Sequence, residues 1–257
     1  MRIAIIGAGK MGAWLAAVLA GGNEIAIFDT ETAKAKAVKD AKALSGMGGL
    51  VDFKPQMLIN AVSLQNTVPA FEAAAPHLPK DCIIADVASI KGGIPEYYKS
   101  AGFRFVSVHP MFGPTFTDMA ALREENAVII RGSDAKGAAV FRMLFEKLGI
   151  RIFDYTFDEH DRMMAYSLTT PFAASLVFAS CMENAAVPGA TFARHKKIAK
   201  GLLSEDDHLL AEILFNQYSL AQLDKITARL EFLKHVIKGK DYDEAKRFFD
   251  KLRKNVG

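Results

Sequence analysis

Four groups of residues in this chain could do chemistry. Gly7, Gly9 and Gly12 form a GxGxxG loop within IAIIGAGKMGAWLAAVLA. Such a loop suits a pyrophosphate: Gly7 permits the tight turn, Gly9 lets the backbone approach the phosphates, and Gly12 lets a helix pack closely on a sheet. Amides at the start of that helix then point at the anion. Asp29 ends the next apolar run, EIAIFD, about 20 residues on, where a carboxylate can bind ribose hydroxyls. A carboxylate there repels a 2′-phosphate, which favours NAD over NADP; Lys34 and Lys36 follow closely enough to keep NADP open. Ser89 and Lys91 stand where the apolar run CIIADVASIK ends, and His109 closes FRFVSVHP. A histidine at a strand end can be purely structural. Beside a nicotinamide, a neutral imidazole can take the proton of a substrate hydroxyl as hydride leaves. Pro110, Gly113 and Pro114 would hold its direction as a rigid turn, whereas Lys91 could equally be a solvent-exposed strand-end lysine.

The elements that must position these residues follow from the hydrophobic pattern. Arg2–Ile6, Glu24–Phe28, Met57–Val62, Cys82–Val87, Arg104–Val108, Ala127–Arg131 and Arg151–Tyr155 read as strands. Several are near-continuous apolar runs, as in parallel strands covered on both faces. Met11–Ala20, Ala33–Lys42, Val68–Ala75 and Ala135–Leu148 read as helices between them. The alternation predicts an α/β Rossmann domain with a doubly wound, mostly parallel sheet over residues 1–156. Ligands of such sheets bind beyond the carboxyl ends of the strands, where Ser89 and His109 fall.

Beyond that the pattern turns helical. Thr156 to Glu159 fits a capping box, Pro188-Gly189 breaks the run, Ser204 to Asp207 suits a helix start, and Gly239-Lys240-Asp241 marks a turn before a last helix. Residues 157–257 therefore read as an all-α substrate and dimerisation domain. Met163 to Met182 carries no charge. Its length approaches the roughly 20 residues of a bilayer span, but Pro171 and its many small residues suit a core or a subunit interface better. Met163 and Met164 read as core residues.

Bulk properties exclude some functions. The chain has 257 residues, enough for one large domain or two modest ones, and a net charge of +3 from 32 basic and 29 acidic residues. That balance argues against nucleic-acid and membrane-surface partners. Cys82 and Cys181 lie in apolar stretches outside any metal-ligand spacing, so both read as buried thiols of a cytoplasmic protein. No metal site is expected: His77, His195, His208 and His235 lack partner spacing. The chain enters a strand at once, without a leader-like start.

The motifs GAGKMG, AVSLQNT, LPKDCIIADVASIK, VHPMFGP, DEHDRMMAYSL and LLSEDDHLLAEIL together resemble the prephenate dehydrogenase family, which includes arogenate dehydrogenases. The resemblance implies an NAD-dependent oxidative decarboxylation in tyrosine biosynthesis by a homodimer, with prephenate or arogenate as substrate. It implies cofactor contacts from Gly7, Ala8, Gly9, Lys10, Met11, Gly12, Asp29 and Ser63. His109 becomes the acceptor for the C4 hydroxyl, and Ser89 the serine that orients it and the substrate. The family also uses an arginine of the helical domain for a substrate carboxylate; Arg194 is the nearest candidate, and Lys197 could serve. A guanidinium grips a carboxylate with two bonds, which an ammonium cannot do.

The sequence departs from the family where relatives carry a histidine in the long helix after the EHD motif. Here the stretch reads SLTTPF, so Thr170 could offer only a hydroxyl. His160, within that motif, reads as a structural residue of a helix start whose Asp158, Glu159 and Asp161 suit the helix dipole. Two further readings stay open. A β-hydroxyacid dehydrogenase or reductase of similar plan would use a helical-domain lysine, such as Lys196, Lys197 or Lys200. A dinucleotide-binding sensor would need no catalytic residue.

Overall fold

In a computed structural model, which describes residues 1–112, 125–183 and 189–257, all seven apolar runs become strands of one sheet. They are β1 (Arg2–Ile6), β2 (Glu24–Phe28), β4 (Met57–Asn60), β5 (Ile83–Asp86), β6 (Arg104–Pro110), β7 (Asn126–Ile130) and β8 (Arg151–Tyr155), joined by a two-residue β3 (Lys42–Ala43). The order is β3-β2-β1-β4-β5-β6-β7-β8. Every pairing is parallel except β6 with β7. The chain therefore forms the expected α/β Rossmann sheet, with its switch point between β1 and β4.

Helices α1 (Lys10–Leu19), α2 (Thr32–Ala37), α3 (Gly49–Phe53), α4 (Thr67–Ala74), α5 (Ile94–Ser100) and α6 (Ala135–Leu148) accompany the strands. One sheet face buries Ile3, Ile5, Met57 and Ile59 with Leu15 of α1 and Phe141 and Phe145 of α6. The other buries Ala4, Ile6, Leu58 and Ile84 with Leu50, Phe71 and Tyr98 of α3, α4 and α5. Apolar positions on both faces explain the unbroken hydrophobic runs. Helix α6 shows how sequence sets an element. Asp134 caps it by accepting from the Gly137 amide at 2.9 Å, Gly149 ends it in the left-handed region, and Phe141, Leu144, Phe145 and Leu148 make its buried stripe.

The expected helix over Ala33–Lys42 stops at Ala37. Val38 is already extended, and Lys42 and Ala43 instead pair with Ala26 and Ile27 at the sheet edge. Helix-forming side chains are overridden there by backbone pairing.

Two compact units divide at Asp161, Met1–Asp161 and Arg162–Gly257. The division falls inside α7 (Phe157–Met164), five residues after the boundary at 156 drawn from the sequence. The capping box forms as expected: Glu159 accepts from the Thr156 amide at 2.7 Å, and Thr156 Oγ1 accepts from the Glu159 amide at 3.2 Å. Arg131, just past β7, adds an ion pair to Glu159 at 2.5 Å.

Among the described residues the second unit is helical throughout. A π-helical turn, Ala165–Thr169, leads into α8 (Thr170–Ser180), followed by α9 (Ala190–Leu202), α10 (Asp207–Leu214), α11 (Ser219–Gly239) and α12 (Tyr242–Val256). The π turn ends two residues before Pro171, which has no amide to give to the turn before it. Thr169 and Ser219 share a buried hydroxyl hydrogen bond of 2.6 Å. Asp206 caps α10 and Asp241 caps α12, at the two helix starts read from the sequence. Gly189 caps α9, while Pro188, like Gly113 and Pro114, lies outside the described residues. Two burial expectations are corrected: Cys181 is exposed at the end of α8, and Met163 is exposed while Met164 is buried. The run Phe157–Ser180 is long and apolar enough to cross a membrane. Its first turns nevertheless carry Asp158, Glu159, Asp161 and Arg162.

Candidate active site

Gly7 leaves β1 with a φ of +95°, and a Cβ there would sit 2.7 Å from the carbonyl oxygen of Ala61. Only glycine fits that position. Gly12 is equally constrained, since a Cβ would run into the Gly7 carbonyl oxygen. Gly9 differs: a Cβ there would meet nothing of the protein within 4 Å. It caps α1 without a side-chain bond, so the first amides of α1, including those of Lys10, Met11 and Gly12, stay available to an anion. The loop, the helix end and the open space over Gly9 fit a pyrophosphate.

Beside the loop lies a cleft of about 500 Å³ lined by Gly7, Gly9, Asp29, Glu31, Lys34 and Ser63, among others. Asp29 ties its two walls together. Its Oδ2 accepts from the Ala8 amide at 2.7 Å and its Oδ1 from the Glu31 amide at 2.8 Å. A carboxylate has about four acceptor positions, so two remain for ribose hydroxyls. Lys34 pairs with Glu31 at 2.5 Å, and that hydrogen bond and charge raise the lysine pKa.

His109 stands where β6 changes partners. Arg104 to Ser107 pair in parallel with β5, whereas Val108, His109 and Pro110 pair with β7. Strand β5 has ended at Asp86, and the next residues lead to Ser89 and Lys91. Lys91 is fully buried, which corrects the exposed reading. Its Nζ donates to Asp86 Oδ1 at 2.7 Å and to the Val108 carbonyl at 2.8 Å. The second Asp86 oxygen accepts from the Tyr98 hydroxyl at 2.7 Å. Each buried charge thus has a partner, as burial requires. Desolvation lowers the Lys91 pKa, and Asp86 opposes that shift. Trp14 of α1 meets Phe112 edge to face at 5.4 Å, so the glycine-loop helix packs against the segment that follows His109.

The histidine itself is buried. Desolvation first, then His160 and the Lys91 charge, hold its pKa well below the ordinary imidazole value. Its ring is therefore neutral at physiological pH. Its Nδ1 lies 3.1 Å from His160 Nε2, and His160 Nδ1 lies 3.2 Å from Asp161 Oδ1. His160 is fully buried, and its contact with His109 was not visible in the sequence. One signal was present: His160 falls between Phe157 and Met164, on the inward stripe of α7. Ser89 is half-buried after β5, and no hydrogen bond joins it to His109 in the structure.

The remaining candidates belong to the second unit. Thr170 opens α8 with an exposed side chain, and Arg194 and Lys197 are exposed on α9. Among the described residues no cluster of His, Cys, Asp or Glu could hold a metal ion.

Known proteins are similar to this chain in sequence and in fold. A probable arogenate/prephenate dehydrogenase of Methanocaldococcus jannaschii is 25% identical over 175 residues, 64% of this chain and 38% of its own length. The T-protein of Enterobacter agglomerans is 32% identical over 95 residues, 37% of this chain and 25% of its own. The chain thus spans well under half the length of these two relatives. Among solved structures, the arogenate dehydrogenase of Synechocystis superposes with a TM-score of 0.81 at 21% identity, covering 100% of this chain and 99% of that one. The prephenate dehydrogenase of A. aeolicus, in complex with hydroxyphenyl propionate and NAD+, gives 0.84 at 17% identity, covering 100% and 97%. The model of the prephenate dehydrogenase nucleotide-binding domain matches residues 20–152, which include Asp29, Ser63, Ser89, Lys91 and His109. By that match, which takes in every strand from β2 to β7, the chain belongs to the prephenate dehydrogenase family.

Proposed function

We propose that this chain is an NAD-dependent dehydrogenase that converts prephenate to 4-hydroxyphenylpyruvate, as a cytoplasmic enzyme of tyrosine biosynthesis. The observation that carries the reading is the buried, neutral His109 at the carboxyl end of β6, in the same unit as the dinucleotide cleft. When bound, the nicotinamide supplies the hydride acceptor. His109 draws off the proton of the C4 hydroxyl as hydride leaves C4 and carbon dioxide leaves C1, and returns it to the phenolate oxygen that results. The ring becomes aromatic, so the protein has mainly to orient the ring and receive one proton. Asp29 favours NAD by facing the ribose with a carboxylate. Glu31 reinforces that choice by holding Lys34 in an ion pair, which a 2′-phosphate would have to break.

The family resemblance offers Ser89 as a further substrate contact, Arg194 or Lys197 for the substrate carboxylate, and Thr170 for a hydroxyl contact. Arogenate, with an amino group where prephenate has a keto group, is the alternative substrate. Dimerisation through the second unit is supported by its exposed Tyr166, Val177, Phe215, Leu220 and Ile237, apolar surface that a second copy would cover. A dimeric mass in solution checks it.

The deciding experiment follows NADH absorbance with the purified chain on prephenate and arogenate, each with NAD and with NADP. Prephenate with NAD should give the highest kcat/KM. His109→Asn should lower kcat by about a thousandfold, within the range for a lost general base, while NAD still binds. Unchanged turnover in that variant overturns the assignment.

A further inference from the structure

His109, His160 and Asp161 form a continuous row of polar groups, with separations of 3.1 Å and 3.2 Å between successive atoms. Both imidazoles are buried, while the Asp161 side chain is a quarter exposed. The donor and acceptor rules allow one arrangement of hydrogens. An ionised carboxylate only accepts, so His160 Nδ1 must carry its hydrogen. A neutral imidazole carries one hydrogen, so His160 Nε2 must accept. His109 Nδ1 then donates, and His109 Nε2 is left with the lone pair.

We propose that His160 and Asp161 are positioning residues that fix the tautomer of His109, so that its Nε2 is always the proton acceptor. Without them the neutral ring could place its hydrogen on Nε2, which would make the reacting nitrogen a donor. The row also prepares for the charged state. Once Nε2 has taken the substrate proton, His109 is an imidazolium whose Nδ1–H points at an acceptor backed by a carboxylate. Burial keeps His160 neutral, with its pKa lowered chiefly by desolvation, so it can accept that bond. The inference rests on the reading of His109 as the proton acceptor, and one of its two tests is independent of that reading.

The first test is imidazole nitrogen NMR on the full chain with 15N-labelled histidine and no substrate. His109 should be protonated at Nδ1 in the native protein. His160→Leu and the more exposed change Asp161→Ala should both shift it toward Nε2. A native His109 protonated at Nε2, or a spectrum unmoved by both variants, overturns the proposal. The second test is kinetic. His160→Leu should lower kcat about a hundredfold, within the span of acid–base contributions, with the KM for NAD within about twofold. His160→Gln, which keeps an acceptor toward His109 and a donor toward Asp161, should recover most of that loss. Equal defects in the Leu and Gln variants, with NAD binding intact, would overturn the relay. If the native chain oxidises neither prephenate nor arogenate but shows the Nδ1–H tautomer, the functional reading fails and the relay stands.

Discussion

The ammonium of Lys91 donates to the carbonyl of Val108 at 2.8 Å, and so holds the peptide that leads into His109. The Met111 amide bonds to the Asn126 carbonyl on β7. By the alternation of an antiparallel ladder, the Val108 carbonyl therefore faces away from β7, toward the side where β5 has ended. A side chain replaces the missing strand. Losing it should cost more than a surface ion pair would, because Asp86 would be left buried and charged. Lys91→Met should destabilise the protein by about 3–5 kcal/mol, measured by denaturant unfolding. Asp86→Asn with Lys91→Met should recover part of that. A single variant as stable as the native chain would show that the pair is dispensable.

Gly9 and Gly12 make opposite predictions. Gly12→Ala forces a methyl group into the Gly7 carbonyl, and overpacking of this kind costs about 1–3 kcal/mol. A lower thermal midpoint should accompany weaker NAD binding. Gly9→Ala meets only open space, so the midpoint should stay put while the affinity for NAD falls about tenfold or more, the methyl group intruding on the pyrophosphate. Calorimetric titration with NAD reads both. Full affinity in Gly9→Ala would place the pyrophosphate elsewhere.

Stability should respond to acid in a defined direction. His109 and His160 both have pKa values below the ordinary 6.5 when folded, chiefly because burial disfavours the imidazolium. In the unfolded chain they protonate near the ordinary value. Between the two values the unfolded state binds more protons, so unfolding free energy falls as pH drops through that window. Unfolding midpoints at pH 7.5 and 5.5 should show the loss, and replacing both histidines should reduce it. The acid limb of kcat/KM should also lie below pH 6.5. A limb above that value would mean that His109 is not held neutral by its surroundings.

Much of this was legible in the residues alone. Apolar runs revealed the sheet because parallel strands are covered on both faces, and the glycine loop stood out because only glycine fits at Gly7 and Gly12. Lys91 was harder to read. Its partner Asp86 sits inside an apolar run five residues earlier, and only the fold shows that the two meet. His160 was hidden for a related reason: three acidic neighbours made it look like part of a solvated helix start, although its place between Phe157 and Met164 pointed inward. The ending of α2 at Ala37 was decided by the sheet edge, which a local reading of AKAKAVKDAKA does not contain.

One joint in the fold restricts what length changes the chain can accept. A single residue, Thr156, separates the end of β8 at Tyr155 from the first residue of α7 at Phe157, and both its amide and its hydroxyl are committed to Glu159. An inserted residue there would turn α7 by roughly 100° and advance it by about 1.5 Å, carrying His160 off the inward face. Insertions and deletions at this joint should therefore be far less tolerated than substitutions.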